Sequence, residues 1–239
     1  MIRISYDFHI HSCLSPCGDN ESTPANIVGM AALIGLDAIA ICDHNSCLNV
    51  PAAISAGKEY GVTILPGMEL TTSEEVHVLC YFPKLENALS FNEYVDKNSL
   101  FIENNPDYFG EQLIYNENDE NCGIVERLLP AASEISFDEV FDLMKEYDGL
   151  MVPAHINKSS TSMLSNLGFI PPESKFTAAE IQTVDQISML REEYPYLNSC
   201  HILTSSDAHY LKDIHEPIHF LHVEENTPEA IISALYTKL

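Results

Sequence analysis

Basic residues are scarce in this sequence. Only 11 Lys and Arg stand against 36 Asp and Glu, which gives a formal net charge of -25. A surface this negative repels phosphate backbones and anionic membranes, and it offers no basic stripe along which a long polyanion could bind. We therefore expect neither long DNA or RNA nor a membrane surface as a partner.

Long apolar runs and paired cysteine motifs are also missing. No run is long enough to span a bilayer, and the N-terminus carries no basic region, apolar stretch and cleavage site of a signal peptide. The seven cysteines are an odd number without CxxC spacing, so we expect reduced thiols. Cys42, Cys80 and Cys200 lie in apolar runs and are predicted to be buried. These absences together predict a cytoplasmic protein without disulfides.

Strand-like and helix-like segments alternate along the 239 residues, of which 46 % are hydrophobic. Length and composition predict one α/β domain over residues 1–239. Polar residues after each strand are typical of parallel βα units, whose sites lie at the carboxyl ends of the strands. The predicted strands are 2–6, 37–42, 62–65, 76–81, 150–154, 178–181, 202–206 and 218–223, and the predicted helices are 24–34, 50–60, 136–147 and 228–239.

Residues 86–133 interrupt this order, because their periodicity is weak and turn residues are frequent. We interpret them as an excursion from the barrel. A lid over the site and a surface elaboration without a chemical role both fit this segment.

Histidine and acidic residues recur where the predicted strands end. In Asp7-Phe8-His9-Ile10-His11, the alternation of a strand places both histidines and Asp7 on the same side. A barrel would bring all the strand exits to one mouth. The residues at these exits are His9, His11, His44, Glu69, His155, Asp207 and His209, and His77 lies on a short strand beside them. The histidines without such a placement, His201, His215, His219 and His222, are expected to be structural or to lie on the surface.

Any one of these histidines alone is more often a hydrogen-bonded partner in a fold than a metal ligand. Their shared position at strand ends is what predicts a metal site. Imidazole and carboxylate ligands in this mixture suit Zn²⁺, Fe²⁺ or Mn²⁺ better than Mg²⁺ or Ca²⁺. Eight ligands are too many for one ion, so we expect two or three divalent cations.

The motifs DFHIHS, ICDHNS, PGMEL, EVHVLCYF, PAHI and SSDAH occur in this order between residue 2 and about residue 215. In this order they resemble the motifs of the PHP (polymerase and histidinol phosphatase) domain, a family of metal-dependent phosphoesterases. The resemblance implies a distorted (β/α)7 TIM-like barrel with up to three metal ions. It also implies one metal on His9, His11, Glu69 and Asp207, a second on Glu69, His77 and His155, and a third on His44 and His209.

One loop departs from the family pattern. Many members follow the HxH motif with SDG, or with a further histidine a few residues on, whereas this loop reads SPCGD. Cys17 has the spacing of that histidine, and Asp19 is the nearest carboxylate. A Cys17 ligand, an Asp19 ligand and a purely structural turn all remain open for this loop.

Ligand set and resemblance together predict hydrolysis of a phosphoester in a small phosphorylated metabolite or nucleotide by a hydroxide that bridges the metals. A 3′-5′ exonuclease or oligonucleotide phosphodiesterase is one alternative, and a non-catalytic metal-binding module is another. Asp43 joins Glu69 and Asp207 as a predicted catalytic-site carboxylate, with the role of orienting or hydrogen-bonding a ligand. Lys158 is a candidate for a contact with substrate phosphate, although an ordinary surface lysine is the alternative.

Overall fold

The computed structural model describes residues 1–171 and 173–237, which contain ten β-strands and eight α-helices. The strands are β1 (Ile2–Ile10), β2 (Ala38–Ile41), β3 (Thr63–Thr71), β4 (His77–Tyr81), β5 (Leu113–Tyr115), β6 (Asn121–Ile124), β7 (Leu150–Pro153), β8 (Ala178–Glu180), β9 (His201–Leu203) and β10 (Phe220–Val223). The helices are α1 (Pro24–Ile34), α2 (Val50–Tyr60), α3 (Leu85–Lys97), α4 (Pro106–Phe109), α5 (Phe137–Glu146), α6 (Met163–Asn166), α7 (Ile187–Glu193) and α8 (Pro228–Tyr236). Helix α8 ends at Tyr236, and its predicted end at residue 239 lies outside the described residues.

A curled sheet with the strand order β10-β1-β2-β3-β4-β7 forms the centre of the described part of the chain. The pairs β1–β2 and β2–β3 are parallel, and the other three neighbours in this order are antiparallel. Strands β8 and β9 form a separate parallel pair, and a single bridge between Ile10 and Ala208 connects the end of β1 to the chain that follows β9. The result is a single-domain α/β fold with a half-barrel sheet, and a complete (β/α)7 barrel is not confirmed.

The main difference from the predicted parallel βα units is the hairpin formed by β3 and β4. These strands pair antiparallel, with Thr71 opposite His77. The link between them, residues 72–76, is far shorter than the dozen or so residues that a parallel crossover needs, so the chain has to turn back on itself. The start of β4 therefore lies at the same edge of the sheet as the end of β3, which places His77 with the strand exits.

Strand β1 lies inside the sheet, and residues 4–10 are all buried. Its pairing with β2 shifts register between Asp7 and Ile10, so the strand carries a bulge. The prediction that Asp7 faces the same way as the two histidines is wrong, because the bulge breaks the alternation. The Asp7 carboxylate instead accepts hydrogen bonds from the backbone N–H groups of Ser206 and His215, at 3.0 and 3.1 Å.

The segment 86–133 contains more regular structure than its sequence indicates, namely most of α3, helix α4 and the β5–β6 hairpin. It contacts the loop after β1, where the N–H of Leu113 donates to the carbonyl of Cys13 at 2.9 Å. At Gly110, which has φ +105°, a Cβ atom would collide with the carbonyl oxygen of Pro16. The Asn45 amide also donates to the carbonyl of Leu129 at 2.7 Å. The excursion is therefore packed against the loops that carry the predicted ligands.

Candidate metal centre

Glu69 lies at the centre of a cluster of buried histidines. Strand β3 carries its carboxylate to the interior, where the side chain is 1 % exposed. The nitrogens nearest to this carboxylate are His77 Nδ1 at 2.8 Å, His44 Nδ1 at 2.9 Å, His155 Nε2 at 3.1 Å, His9 Nε2 at 3.3 Å and His11 Nε2 at 3.5 Å. A single carboxylate therefore touches five imidazoles that come from four strands or strand exits.

Asp207 closes the cluster on the side of β1. Its Oδ1 atom lies 3.3 Å from His11 Nε2 and 3.5 Å from His9 Nε2. Its Oδ2 atom accepts a hydrogen bond from Lys158 Nζ at 2.8 Å. The ring of His209 stacks on that of His11 with a centroid separation of 4.3 Å. The residues predicted for the metal site from strand ends, together with His77, thus lie side by side.

The spacing of these atoms fits divalent cations. The Nε2 atoms of His9 and His11 face each other at 3.2 Å. Four ligands arranged tetrahedrally around a zinc ion at its usual bond lengths would stand about 3.3 Å apart. His44 Nδ1 and Glu69 Oε2 are both buried and lie 2.9 Å apart. Imidazole nitrogen and carboxylate oxygen atoms at these separations could serve as ligands of one cation.

Three groups of potential ligand atoms, each within 4.8 Å of one another, occur among the described residues: His9, His11 and Glu69; His44, Glu69 and His77; and His11, His44 and His209. Glu69, His11 and His44 each belong to two of these groups. The shared members indicate neighbouring cation positions rather than separate sites.

The electrostatics of the cluster favour positive charge. Burial raises the pKa of the Glu69 carboxyl, but the imidazoles of His77 and His9 outweigh it and hold that pKa well below its usual range. Burial lowers the pKa of His9, but the surrounding carboxylates, Glu180 first, raise it well above its usual value. Burial also acts against the His44 imidazolium, and its acidic partners still raise the pKa of His44 to about 10. The carboxylates therefore demand positive charge here, as protons or as cations.

Two ligand positions carry a strained backbone. His155 and Asp207 adopt left-handed conformations, with φ of 28° and 52°. Side chains other than glycine adopt such angles at a cost of about 1–3 kcal/mol each, and such conformations cluster at active sites. Both residues follow a strand, after β7 and β9, and the left-handed turn directs their side chains into the cluster.

Asp43 orients His11 through a serine. The Asp43 carboxylate accepts hydrogen bonds from Ser12 Oγ at 2.6 Å and from Ser15 Oγ at 2.7 Å, and Ser15 Oγ lies 3.0 Å from His11 Nδ1. Since the serine proton goes to Asp43, Ser15 accepts the Nδ1 proton of His11, and Nε2 is left to face the cluster. This geometry supports the orienting role predicted for Asp43. The sequence does not predict that Ser15 connects Asp43 to His11.

Glu180, at the end of β8, is a site residue that the sequence analysis missed. Its Oε2 atom lies 3.0 Å from His9 Nδ1 and accepts the backbone N–H of His155, also at 3.0 Å. The carboxylate is buried, and its Oε1 atom has no hydrogen-bond partner. The sequence carries a signal for it, because Glu180 is the penultimate residue of the predicted strand 178–181.

We expect Glu180→Gln to lower the affinity for Mn²⁺ or Zn²⁺ about 10–100-fold, because a carboxylate behind a ligating histidine fixes its tautomer and raises its basicity. Isothermal titration of the metal-free variant measures this change. Glu192→Gln, an exposed glutamate on α7, is the matched control and should leave affinity unchanged. Equal affinities for Glu180→Gln and the unsubstituted protein would contradict the positioning role.

In the SPCGD loop, the structure distinguishes between Cys17 and Asp19. The Cys17 thiol hydrogen-bonds with His209 and His44, and these contacts outweigh the effect of burial and lower the pKa of Cys17 to about 6. The Asp19 carboxylate instead accepts the backbone N–H of Glu21 at 2.8 Å. The structure therefore brings Cys17 to the cluster and turns Asp19 toward its own loop.

Comparison with known proteins agrees with this geometry. A profile of the PHP domain matches residues 7–232. The chain belongs to the PHP domain family. The predicted family is thus confirmed, and the predicted class of enzyme, a hydrolase of phosphoric ester bonds, is confirmed at the level of this family. Divalent metals are the cofactors of PHP domains, which agrees with the ligand cluster.

Among curated relatives, the chain is similar to a 5'-3' exoribonuclease of Haemophilus influenzae, with 32 % identity over 77 residues, or 31 % of this chain and 27 % of that protein. Among solved structures, it resembles the lesion-specific endonuclease PfuEndoQ from Pyrococcus furiosus, with a TM-score of 0.71 and 21 % identity over 98 % of this chain and 56 % of the other. This PHP chain therefore spans less than two thirds of the length of either relative.

The predicted exclusion of long nucleic acid is wrong, and the small phosphorylated substrate predicted with it is not supported. Endonuclease Q in complex with a 27-mer duplex substrate, whose abasic lesion lies at the active site, has this fold, with a TM-score of 0.69 and 21 % identity over 98 % of this chain. Net charge sums the whole surface and does not describe the groups around one pocket, so it does not exclude a polyanionic partner.

Helices long and apolar enough to cross a bilayer are absent from residues 1–171 and 173–237. The cytoplasmic location stays a prediction.

Proposed function

We propose that this PHP domain is a metal-dependent nuclease that hydrolyses phosphodiester bonds of DNA or RNA. The observation that carries the proposal is the convergence of Glu69, Asp207 and their imidazole neighbours on shared cation positions. An exoribonuclease relative and a DNA-bound endonuclease of the same fold support nucleic acid as the substrate. The reaction adds water to phosphorus and releases one strand end with the phosphate and one with a hydroxyl.

The proposed ligands divide between two adjacent positions that share Glu69. His9, His11, Glu69 and Asp207 would hold one cation, and Glu69, His77 and His155 would hold the second. Zn²⁺, Mn²⁺ and Fe²⁺ suit these imidazole and carboxylate donors. Such cations lower the pKa of coordinated water, neutralise phosphate oxygens and stabilise the leaving oxygen.

The protein's own groups orient this centre. Glu180 holds the Nδ1 side of His9, and Ser15 with Asp43 holds the Nδ1 side of His11, so that both Nε2 atoms face inward. Burial of these residues keeps bulk water away from the ligand atoms, which strengthens their interactions with charged groups. The centre is thus preorganised by the fold.

Lys158 is the residue proposed to contact the substrate. It is half-buried, and its ammonium group pairs with Asp207 Oδ2 at 2.8 Å, which places a fixed positive charge at the edge of the cluster. The Asp207 carboxylate outweighs burial and raises the pKa of Lys158, so the charge is present throughout the neutral range. A phosphate oxygen of the scissile strand would then accept a hydrogen bond from Nζ.

The test uses the whole chain, stripped by a chelator and reloaded with Mn²⁺ or Zn²⁺, on DNA and RNA oligonucleotides labelled at either end, as single strands and as duplexes. We expect hydrolysis that depends on the cation, and the product lengths from each label will give the direction of cleavage or reveal internal cuts. Absence of hydrolysis in all combinations would overturn the proposal in favour of a non-catalytic metal-binding domain.

A matched pair of lysine variants belongs to this test. Lys158→Gln should raise KM about tenfold, because the variant loses one charge-assisted hydrogen bond to phosphate. Lys175 also pairs with an aspartate, Asp142, at 3.2 Å, but both groups are exposed and lie outside the cluster. Lys175→Gln should therefore leave KM unchanged.

A further inference from the structure

We infer that Cys17 is a thiolate ligand of a third cation position, together with His44 and His209, and that it gives this position a preference for Zn²⁺ or Fe²⁺ over Mn²⁺ and Mg²⁺. The inference extends the proposed metal centre and rests on it. The common family pattern supplies no cysteine at this place, so the assignment depends on the side chains of this chain alone.

Three imidazoles form the wall of this position. The ligand atoms of His11, His44 and His209 lie within 4.8 Å of one another. The ring of His11 is 4.6 Å from that of His44 and 4.3 Å from that of His209. Cys17 hydrogen-bonds with both His44 and His209, so its sulfur faces the same space as their nitrogens. Cysteine sulfur and histidine nitrogen are both usual zinc ligands.

His44 connects this position to the carboxylate of Glu69. Its side chain is 8 % exposed, and its Nδ1 atom lies 2.9 Å from Glu69 Oε2. The cation positions on either side of His44, one with Glu69 and His77 and one with His11 and His209, would use this ring.

The loop that carries Cys17 is held firmly. The N–H of Gly18 donates to Ser15 at 2.8 Å, and the N–H of Asp19 donates to the carbonyl of His209 at 2.9 Å. A Cβ atom on Gly18 would collide with the carbonyl of Ser12, so the turn is close-packed. Cys17 is therefore fixed beside His209 by backbone hydrogen bonds on either side of it, as preorganised ligands are.

The sulfur donor of Cys17 decides which divalent cation the third position prefers. Thiolate sulfur binds Zn²⁺ and Fe²⁺ well, whereas Mn²⁺ and Mg²⁺ favour oxygen donors. The positions around Glu69 offer only nitrogen and oxygen, so Cys17 would distinguish the third position from the other two. A chain loaded with Mn²⁺ would then still accept Zn²⁺ at the Cys17 position.

Cys122 provides a control within the same chain. Cys17 and Cys122 are the exposed cysteines of the described residues, and the others are buried. Cys122 lies on β6, where its thiol contacts the carbonyl of Ile114. A thiol reagent will therefore report on Cys17 and Cys122 side by side.

The experiment alkylates the metal-free chain with iodoacetamide in the presence and absence of Zn²⁺ and measures each cysteine by peptide mass spectrometry. At a Zn²⁺ concentration of 100 times Kd, bound metal should slow alkylation of Cys17 about a hundredfold, while Cys122 reacts at an unchanged rate. Mn²⁺ should protect Cys17 far less. Equal rates for Cys17 with and without Zn²⁺ would overturn the inference.

Cobalt substitution gives a second readout that does not depend on reagent access. Co²⁺ bound to a thiolate shows an intense sulfur-to-metal charge-transfer band, which we expect in the unsubstituted chain and in Cys122→Ser but not in Cys17→Ser. Elemental analysis should also find one Zn²⁺ fewer per chain in Cys17→Ser. An unchanged band or zinc content in Cys17→Ser would refute the thiolate ligand. If these measurements succeed and no oligonucleotide is cleaved, the ligand assignment stands and only the nuclease proposal fails.

Discussion

We expect Glu69→Gln to reduce metal-dependent hydrolysis about a thousandfold, since bound cations contribute several kcal/mol of charge stabilisation and each 1.4 kcal/mol is about a factor of ten in rate. The substitution keeps the shape of the side chain but removes the one carboxylate that touches five imidazoles. Both proposed cation positions that share Glu69 lose their bridging charge. Steady-state rates on a labelled oligonucleotide and the metal content of the purified variant measure the two effects.

Glu59→Gln is the control for this substitution. Glu59 is exposed on α2 and lies outside the potential ligand groups of the described residues, so the same change of charge there should leave the rate and metal content as they were. Circular dichroism of Glu69→Gln establishes that the fold persists. A folded Glu69→Gln variant with normal activity would show that Glu69 does not bridge cations in the reaction.

The sequence predicts most of the cluster because parallel strands bring their carboxyl ends to one edge. His9 lies at the end of β1, and His44 and His155 follow β2 and β7. The structure places all three against Glu69. His77 reaches the same edge for a different reason, since it begins a strand that runs in the opposite direction. The sequence therefore predicts which residues reach this edge of the sheet, but not which of their side chains touch one another.

The residues that were missed or misplaced depend on details that a strand pattern does not contain. Asp7 fits the alternation of β1, but the bulge after it turns its carboxylate toward Ser206 and His215. Ser15 orients His11 from a loop whose conformation is set by hydrogen bonds to Asp43. Glu180 differs from these, because its place near the end of the predicted strand 178–181 is visible in the sequence.

The fold itself was predicted at the level of its class and not of its connections. Alternating strands and helices indicate an α/β fold, whereas the turn at residues 72–76 decides that β3 and β4 pair antiparallel. The sequence does not predict helix α3 clearly, because polar residues interrupt the apolar positions along it. Its buried residues Ala88, Phe91 and Val95 nevertheless recur at helical spacing.

We expect the affinity of the centre for Zn²⁺ or Mn²⁺ to rise with pH, about tenfold per pH unit for each proton that binding displaces. His9 has a raised pKa, and that of His44 is raised to about 10, so in the metal-free protein both rings hold protons through the neutral range. A cation needs these nitrogens unprotonated. The carboxyls of Glu69 and Asp207 have lowered pKa values and are already ionised, so they release no protons.

Metal affinity rises with pH because metal binding displaces protons from the imidazoles. Because the free protein binds more protons than the metal complex, low pH favours the free form, and the dependence should extend from about pH 6 to above neutrality, where an ordinary histidine no longer titrates. Titration calorimetry in buffers of different ionisation enthalpy counts the protons released at each pH. His201→Gln, whose ring lies 2.8 Å from the carbonyl of Thr237 and away from the cluster, should release the same number. An affinity that stays constant over this range would mean that the rings of His9 and His44 are already neutral, and that the carboxylates do not hold protons on them.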